Sequence, residues 1–230
     1  MNVQQTQISA ADTLSRREAG SGWHAQIPDD KAMLRAARDL TKDISAHRAD
    51  IYWADMIASA LVGYGALAGA ILTGSLPLAI LLAGVAVLAL YRALLFIHEI
   101  SHLRNGTLPG FRTAWNVLVG IPMLTPSFMY EGVHTLHHKR TQYGTIEDPE
   151  YLPLALMKPW SLPVFVIVAL LAPVALLVRR AVLVPLGALF PAVRDFVWSR
   201  GSALSINPDF RRKAPEGDFA KRVFWQETGA

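Results

Sequence analysis

The chain has 230 residues, no cysteine, 52% hydrophobic residues and a net charge of +4, with a mean hydropathy of +0.29. That length allows one domain or two small ones, and that much apolar content argues for a membrane protein over a soluble globule. Without cysteine there are no disulfides, zinc–thiolate sites or thiol nucleophiles, and without a basic stripe interleaved with aromatics nucleic-acid binding is not expected.

The apolar residues are unevenly spread, and they divide the chain. Residues 1–50 read as a cytosolic N-terminal segment, 51–192 as a membrane domain and 193–230 as a basic cytosolic tail. The opening run MNVQQTQISAADTLSRREAG has no apolar stretch of the kind a secretory signal needs, so the N-terminus is expected to stay in the cytosol. Residues 29–49 carry Met33, Ala36, Ala37, Leu40 and Ile44 at three- and four-residue spacing opposite a charged face. This predicts an amphipathic surface helix, with His47 near its end solvated or packed.

Met56–Thr73 is an uncharged apolar run close to the length that crosses hydrocarbon. Gly65 and Gly69 within it form a GxxxG, which predicts close helix packing. Gly74 and Ser75 make a tip too short for anything but a hairpin, and Leu76–Tyr91, continuing through Arg92 to Ile97, is the second span. Both polar ends then face one side. That side carries Arg48, Arg104, Arg112, Lys139, Arg140 and Lys158, which puts it in the cytosol by the positive-inside bias. Residues 113–129, broken by Pro122 and Pro126, predict an interfacial or re-entrant segment. Leu162–Val178 is apolar, then come Arg179, Arg180 and a second apolar piece, Ala181–Pro191. A bent hairpin is expected there, because one crossing would carry the basic tail outside. The fold class expected is all-α, an integral membrane helical bundle with a cytosolic histidine-bearing cap.

Two histidine clusters carry the chemistry. The second span ends in FIHEISH, where His98 and His102 lie four apart and share a face if the helix continues. The run VHTLHHKR holds His134, His137 and His138 at i, i+3 and i+4, again one helical face. Five imidazoles without a thiolate suit iron, zinc, copper or nickel better than magnesium or calcium. HEISH also fits the HExxH pattern of zinc proteases, with Glu99 as general base. That reading leaves HTLHH largely unexplained. Otherwise Glu99 serves as a hydrogen-bond partner of a ligand, or as a solvated neighbour.

With HEISH at 98–102 and HTLHH at 134–138, the chain resembles the membrane fatty acid desaturase family, which includes hydroxylases and carotenoid-oxygenating enzymes. The preceding hairpin and the run YGTIEDPEYLPL add to the likeness, which spans roughly residues 45–192. The resemblance implies two non-haem iron ions held by His98, His102, His134, His137 and His138. It implies O2-dependent desaturation of a fatty acyl lipid in a bacterial inner membrane. Electrons would come from a ferredoxin, rubredoxin or cytochrome b5-type donor. A related lipid or carotenoid hydroxylase, a zinc metalloprotease and a non-catalytic remnant are the alternatives. The family's third box, HxxHH or QxxHH, has no counterpart, since no histidine follows His138. The expectation is therefore a C-terminally incomplete fragment that lacks part of its iron cage, for which Glu99, Glu131, Glu147 or Asp148 would be the spare carboxylates.

Overall fold

The structure, a computed structural model, describes residues 31–44, 47–104, 106–152, 154 and 157–229. The chain divides into two compact units, Met1–His47 and Arg48–Ala230. The described residues are helical and irregular, with no strand among them.

The first unit contributes helix α1, Lys31–Leu40, which buries none of its residues. The amphipathic helix expected over 29–49 is thus shorter: residues 41–44 are turns, and Ile44 lies past the helix end. Thr41 explains the stop. Its hydroxyl bonds back to the Ala37 carbonyl at 2.9 Å, a local competitor to further helix.

The second unit begins with two antiparallel helices, α2 (Ala49–Leu72) and α3 (Leu76–His102). Both are long and apolar enough to cross a membrane. Thr73 and Ser75 are extended, and Pro77 sits in the first turn of α3, where its missing N–H costs nothing. α2 buries Met56, Ala60, Gly63 and Ala66 against the Ala86, Ala93, Phe96 and Ile100 stripe of α3. Of the expected pair, Gly69 lies at the close approach and Gly65 does not; Gly63 is the second contact. A Cβ on Gly63 would sit 2.6 Å from Leu90 Cγ and one on Gly69 3.1 Å from Leu82 Cδ1, but one on Gly65 would meet nothing. Gly65 lies on the outer face.

The broken segment after α3 is the seam of the first core. Helix α4 (Phe111–Trp115) runs into a π-helical turn, Asn116–Gly120. Phe111, Trp115 and Val119 are fully buried against Met56, Ala93 and Ile100. Trp115 donates its indole N–H to the Ala93 carbonyl at 2.8 Å, which fixes the segment to α3.

Residues 161–189 form one continuous apolar rod: α6 (Ser161–Val178), a π-helical stretch Arg179–Leu183, and α7 (Val184–Leu189). It is a third candidate span of 29 residues. The bent hairpin expected over 162–191 is therefore replaced by a single rod, because proline at 173 and 185 is accommodated inside it and the backbone stays helical through Arg179 and Arg180. The reversal comes later, at extended Phe190. There α8 (Pro191–Gly201) folds back, and a Cβ on Gly187 would lie 3.2 Å from Arg194 Cα.

Residues 193–229, within the segment expected as a basic cytosolic tail, carry helical structure that packs on the rest of the second unit. Val223 of α9 (Gly217–Gly229) joins Phe128 and Met129 in a second core, with Trp198, Leu204 and Phe219 around it. Arg179 and Arg180 both pair with Glu227, and Arg179 also bonds the Gly201 carbonyl at 2.5 Å. Arg212 stacks on Trp198 at 4.9 Å and Phe219 at 5.3 Å. Burial draws its pKa down to about 10 although Glu131 opposes this.

Candidate metal centre

The site forms where the end of α3 meets a short helix. α3 continues through Ile97 to His102, so His98 and His102 stack one turn apart, ring centroids 4.7 Å from one another. Across from them, Gly132 takes a left-handed φ of 81° and starts α5, Val133–His137, with His138 as its C-cap. A left-handed N-cap suits a residue without Cβ. Tyr130, His134 and His138 then fall four residues apart and line one side.

His98, His102, His134 and His138 each aim a ring nitrogen at one spot, the four donor atoms lying within 4.8 Å of one another. Nε2 of His134 is 2.9 Å from Nε2 of His102 and 2.9 Å from Nε2 of His138. Two nitrogens bound at right angles to one ion, each at about 2.1 Å, would stand about 3.0 Å apart. Imidazole lone pairs converging this closely need a shared proton or a shared cation. The donor set thus fits an N-ligated transition metal.

The far sides of the rings support that fit. His134 is buried, and its Nδ1 meets Glu150 Oε1 at 2.9 Å and the Tyr130 hydroxyl at 2.8 Å. A carboxylate at Nδ1 places the proton there and leaves the Nε2 lone pair for a metal. Burial pushes the His134 pKa down, Glu150 opposes it, and the His98 and His138 rings push it lower, so the neutral, ligand-competent form is favoured. Burial raises the Tyr130 hydroxyl well above its ordinary value, with Glu150 adding to the effect. On the other face, Glu99 lies 3.5 Å from His98 Nδ1 and accepts the Tyr52 hydroxyl at 2.9 Å.

His137 sits apart from the four. Its Nδ1 meets both oxygens of fully buried Asp148 at 3.0 Å, the orientation that frees Nε2 on the opposite edge. Burial works to raise the Asp148 pKa, but the Gly144 and Glu150 amides and His137 together hold it below the usual carboxylate value. Asp148 is therefore spent on orienting His137. Glu131 is likewise engaged, by Arg112 at 2.9 Å and by Arg222. Glu147 is exposed. None of the three carboxylates joins the four imidazoles, while Glu99 borders one of them. His24 lies outside the described residues.

Three supporting residues escaped the reading of the sequence: Tyr130, Glu150 and Asn207. Tyr130 had a signal, its four-residue offset from His134. Glu150 lay in the EDPE run with nothing to mark its partner. Asn207 had none, since its amide reaches back to the Ile146 carbonyl at 2.8 Å and the Asp148 carbonyl at 3.1 Å, across some sixty residues.

A sequence profile described as fatty acid desaturase matches residues 73–226. A ceramide hydroxylase of Caulobacter vibrioides (strain NA1000 / CB15N) is 48% identical over 189 residues, which is 82% of this chain and 54% of that protein. The chain thus spans about half the length of the curated relative it matches. No solved structure matches significantly. The matched region contains both histidine clusters, and the chain belongs to the fatty acid desaturase family.

Proposed function

We propose that this protein carries the membrane-embedded iron site of an O2-dependent enzyme that oxidises a C–H bond in the acyl chain of a membrane lipid. The observation that supports it best is the convergence of His98, His102, His134 and His138 at the end of a hydrophobic hairpin. His98, His102, His134 and His138 would hold one iron, and His137 would serve a second. Iron supplies the activation of O2 that an unactivated C–H bond requires. The chain's own residues do the rest. Glu150, Asp148 and Glu99 fix ring orientation and the tautomer, while α2 and α3 keep the site beside the hydrocarbon.

Hydroxylation is favoured over desaturation by the likeness to a ceramide hydroxylase. Desaturation remains the second reading, because the matching family profile is described as fatty acid desaturase. The histidine end is oriented to the cytosol of a bacterial inner membrane on the excess of arginine and lysine there. Electrons enter from a ferredoxin, rubredoxin or cytochrome b5-type donor. The zinc-protease alternative loses support, because Glu99 is tied to Tyr52 and His98, and four imidazoles exceed what that motif uses.

The test is expression with a suitable reductase and donor, followed by mass spectrometry of host lipids. The expected product is a lipid with one added oxygen. A lipid short of two hydrogens would select desaturation. Purified protein that holds zinc without iron and cleaves peptides would sink the proposal.

A further inference from the structure

The hairpin holds an ion pair that the metal site does not use. Asp55 of α2 faces Arg92 of α3, with Nε of Arg92 3.3 Å from Asp55 Oδ1, and Ser59 also donates to Asp55 at 3.1 Å. Arg92 lies sixteen residues from the start of α3, about 24 Å along the axis, so it sits near the polar edge of a hydrocarbon layer about 30 Å thick. His98 is about 9 Å further along. A charged pair at that depth is costly and calls for a reason.

Holding the helices together is not reason enough, because Gly63 and Gly69 already let them touch. A mere clamp would also be covered. Instead the Arg92 side chain is 60% exposed. Its Nε and one amino group are taken by Asp55, and its other amino group makes no hydrogen bond among the described residues. The pair lines a cavity of about 410 Å³ that also includes Ile51, Phe96, His98 and Glu99. One cavity therefore joins a polar pair near the membrane boundary to one of the four imidazoles.

We infer that Arg92 and Asp55 form a subsite for the neutral, hydrogen-bonding headgroup of a lipid substrate, an amide or hydroxyl of the sphingoid type. The inference rests on the lipid-oxidising reading above. A donor and an acceptor side by side match a group that both accepts and donates. An anionic phosphate fits poorly, because Asp55 and Glu99 outnumber Arg92. Asp55 Oδ2 accepts only from Arg92 and keeps a lone pair to spare, and Arg92 keeps one amino group. An ester can accept from that amino group but has no proton for Asp55, so it makes one contact where an amide or hydroxyl makes two. Arg92 and Asp55 would set which lipid is held and how far its chain reaches toward His98.

The experiment uses the full chain in detergent, with a short-chain fluorescent ceramide as probe. Competitors are unlabelled ceramide, the methyl ester of the same acyl chain, and phosphatidylglycerol. Ceramide should compete at least about tenfold better than the ester. Arg92→Gln and Asp55→Asn should both erase that preference while cobalt or iron content stays at the wild-type level. Should Arg92→Gln lose metal through misfolding, Arg92→Lys keeps the charge but lacks the spare planar donor, and it too should lose the preference. Unchanged preference in folded variants, or phosphatidylglycerol competing as well as ceramide, overturns the subsite. Product analysis separates the two readings. Lipid oxidation without any ceramide preference would sink the subsite alone. Ceramide preference without oxidation in the iron-loaded, donor-supplied protein would support the subsite and sink the enzyme reading.

Discussion

Four imidazoles and one separate imidazole divide the histidines by role. His134 is the hinge of the cluster, buried and 2.9 Å from two other Nε2 atoms. His134→Ala should abolish cobalt binding at the four-histidine site, read by its visible absorption. His137→Ala should leave that ion in place, because its ring points toward Asp148. Sequence spacing had put all three histidines of HTLHH on one face. The helix ends at His137, one residue before His138, and the Asp148 carboxylate pulls His137 aside. Glu150→Gln keeps the volume but removes the charge at His134 Nδ1. It should weaken metal affinity by about 10- to 100-fold, measured by competition with a chelator.

Helix contacts inside the hairpin depend on which small residues face inward. Gly63→Ala drives a Cβ to within 2.7 Å of two Leu90 side-chain atoms and 3.1 Å of the Leu90 backbone nitrogen. Overpacking of this kind costs about 1–3 kcal/mol. Gly65→Ala should change stability by less than about 0.5 kcal/mol, since its outer face is open. Thermal unfolding of the two variants in one detergent compares them directly. A GxxxG spacing announces that small residues are present without saying which face they take. Met56, Ala60 and the Ala86–Ala93 stripe decide that, because their burial sets the rotation of α2 against α3.

Across the whole second unit, the C-terminal segment braces the loop that carries the orienting carboxylates. Asn207 holds residues 146–148, the Ile206 and Asn207 amides donate to the Pro149 carbonyl, and Leu204 donates to the Met129 carbonyl at 2.9 Å. Glu227 fastens α9 to Arg179 and Arg180. Glu227→Ala would leave two arginines unpaired near a core, at a cost of about 3–5 kcal/mol. Limited proteolysis should then cut between α8 and α9 faster than in the wild type. Asn207→Ala is expected to loosen the Asp148 loop and disturb the His137 side while the four-histidine ion stays bound. Hydrogen exchange of the 144–150 amides reads that loosening.

The sequence by itself determined the class, the hairpin and the clustering of the histidines. Long uncharged runs have no stable place except in a bilayer or a core, and HEISH and HTLHH carry their ligand spacing within single turns. Those are local properties of a helix. Only the tertiary structure decided which imidazoles converge, which carboxylates orient them, and that residues 161–189 run as one rod. Each of these depends on groups far apart in the chain, such as Glu150 on His134, Asn207 on Asp148 and Glu227 on Arg179. No periodicity records such pairs, because contact across a fold is fixed by packing and not by spacing.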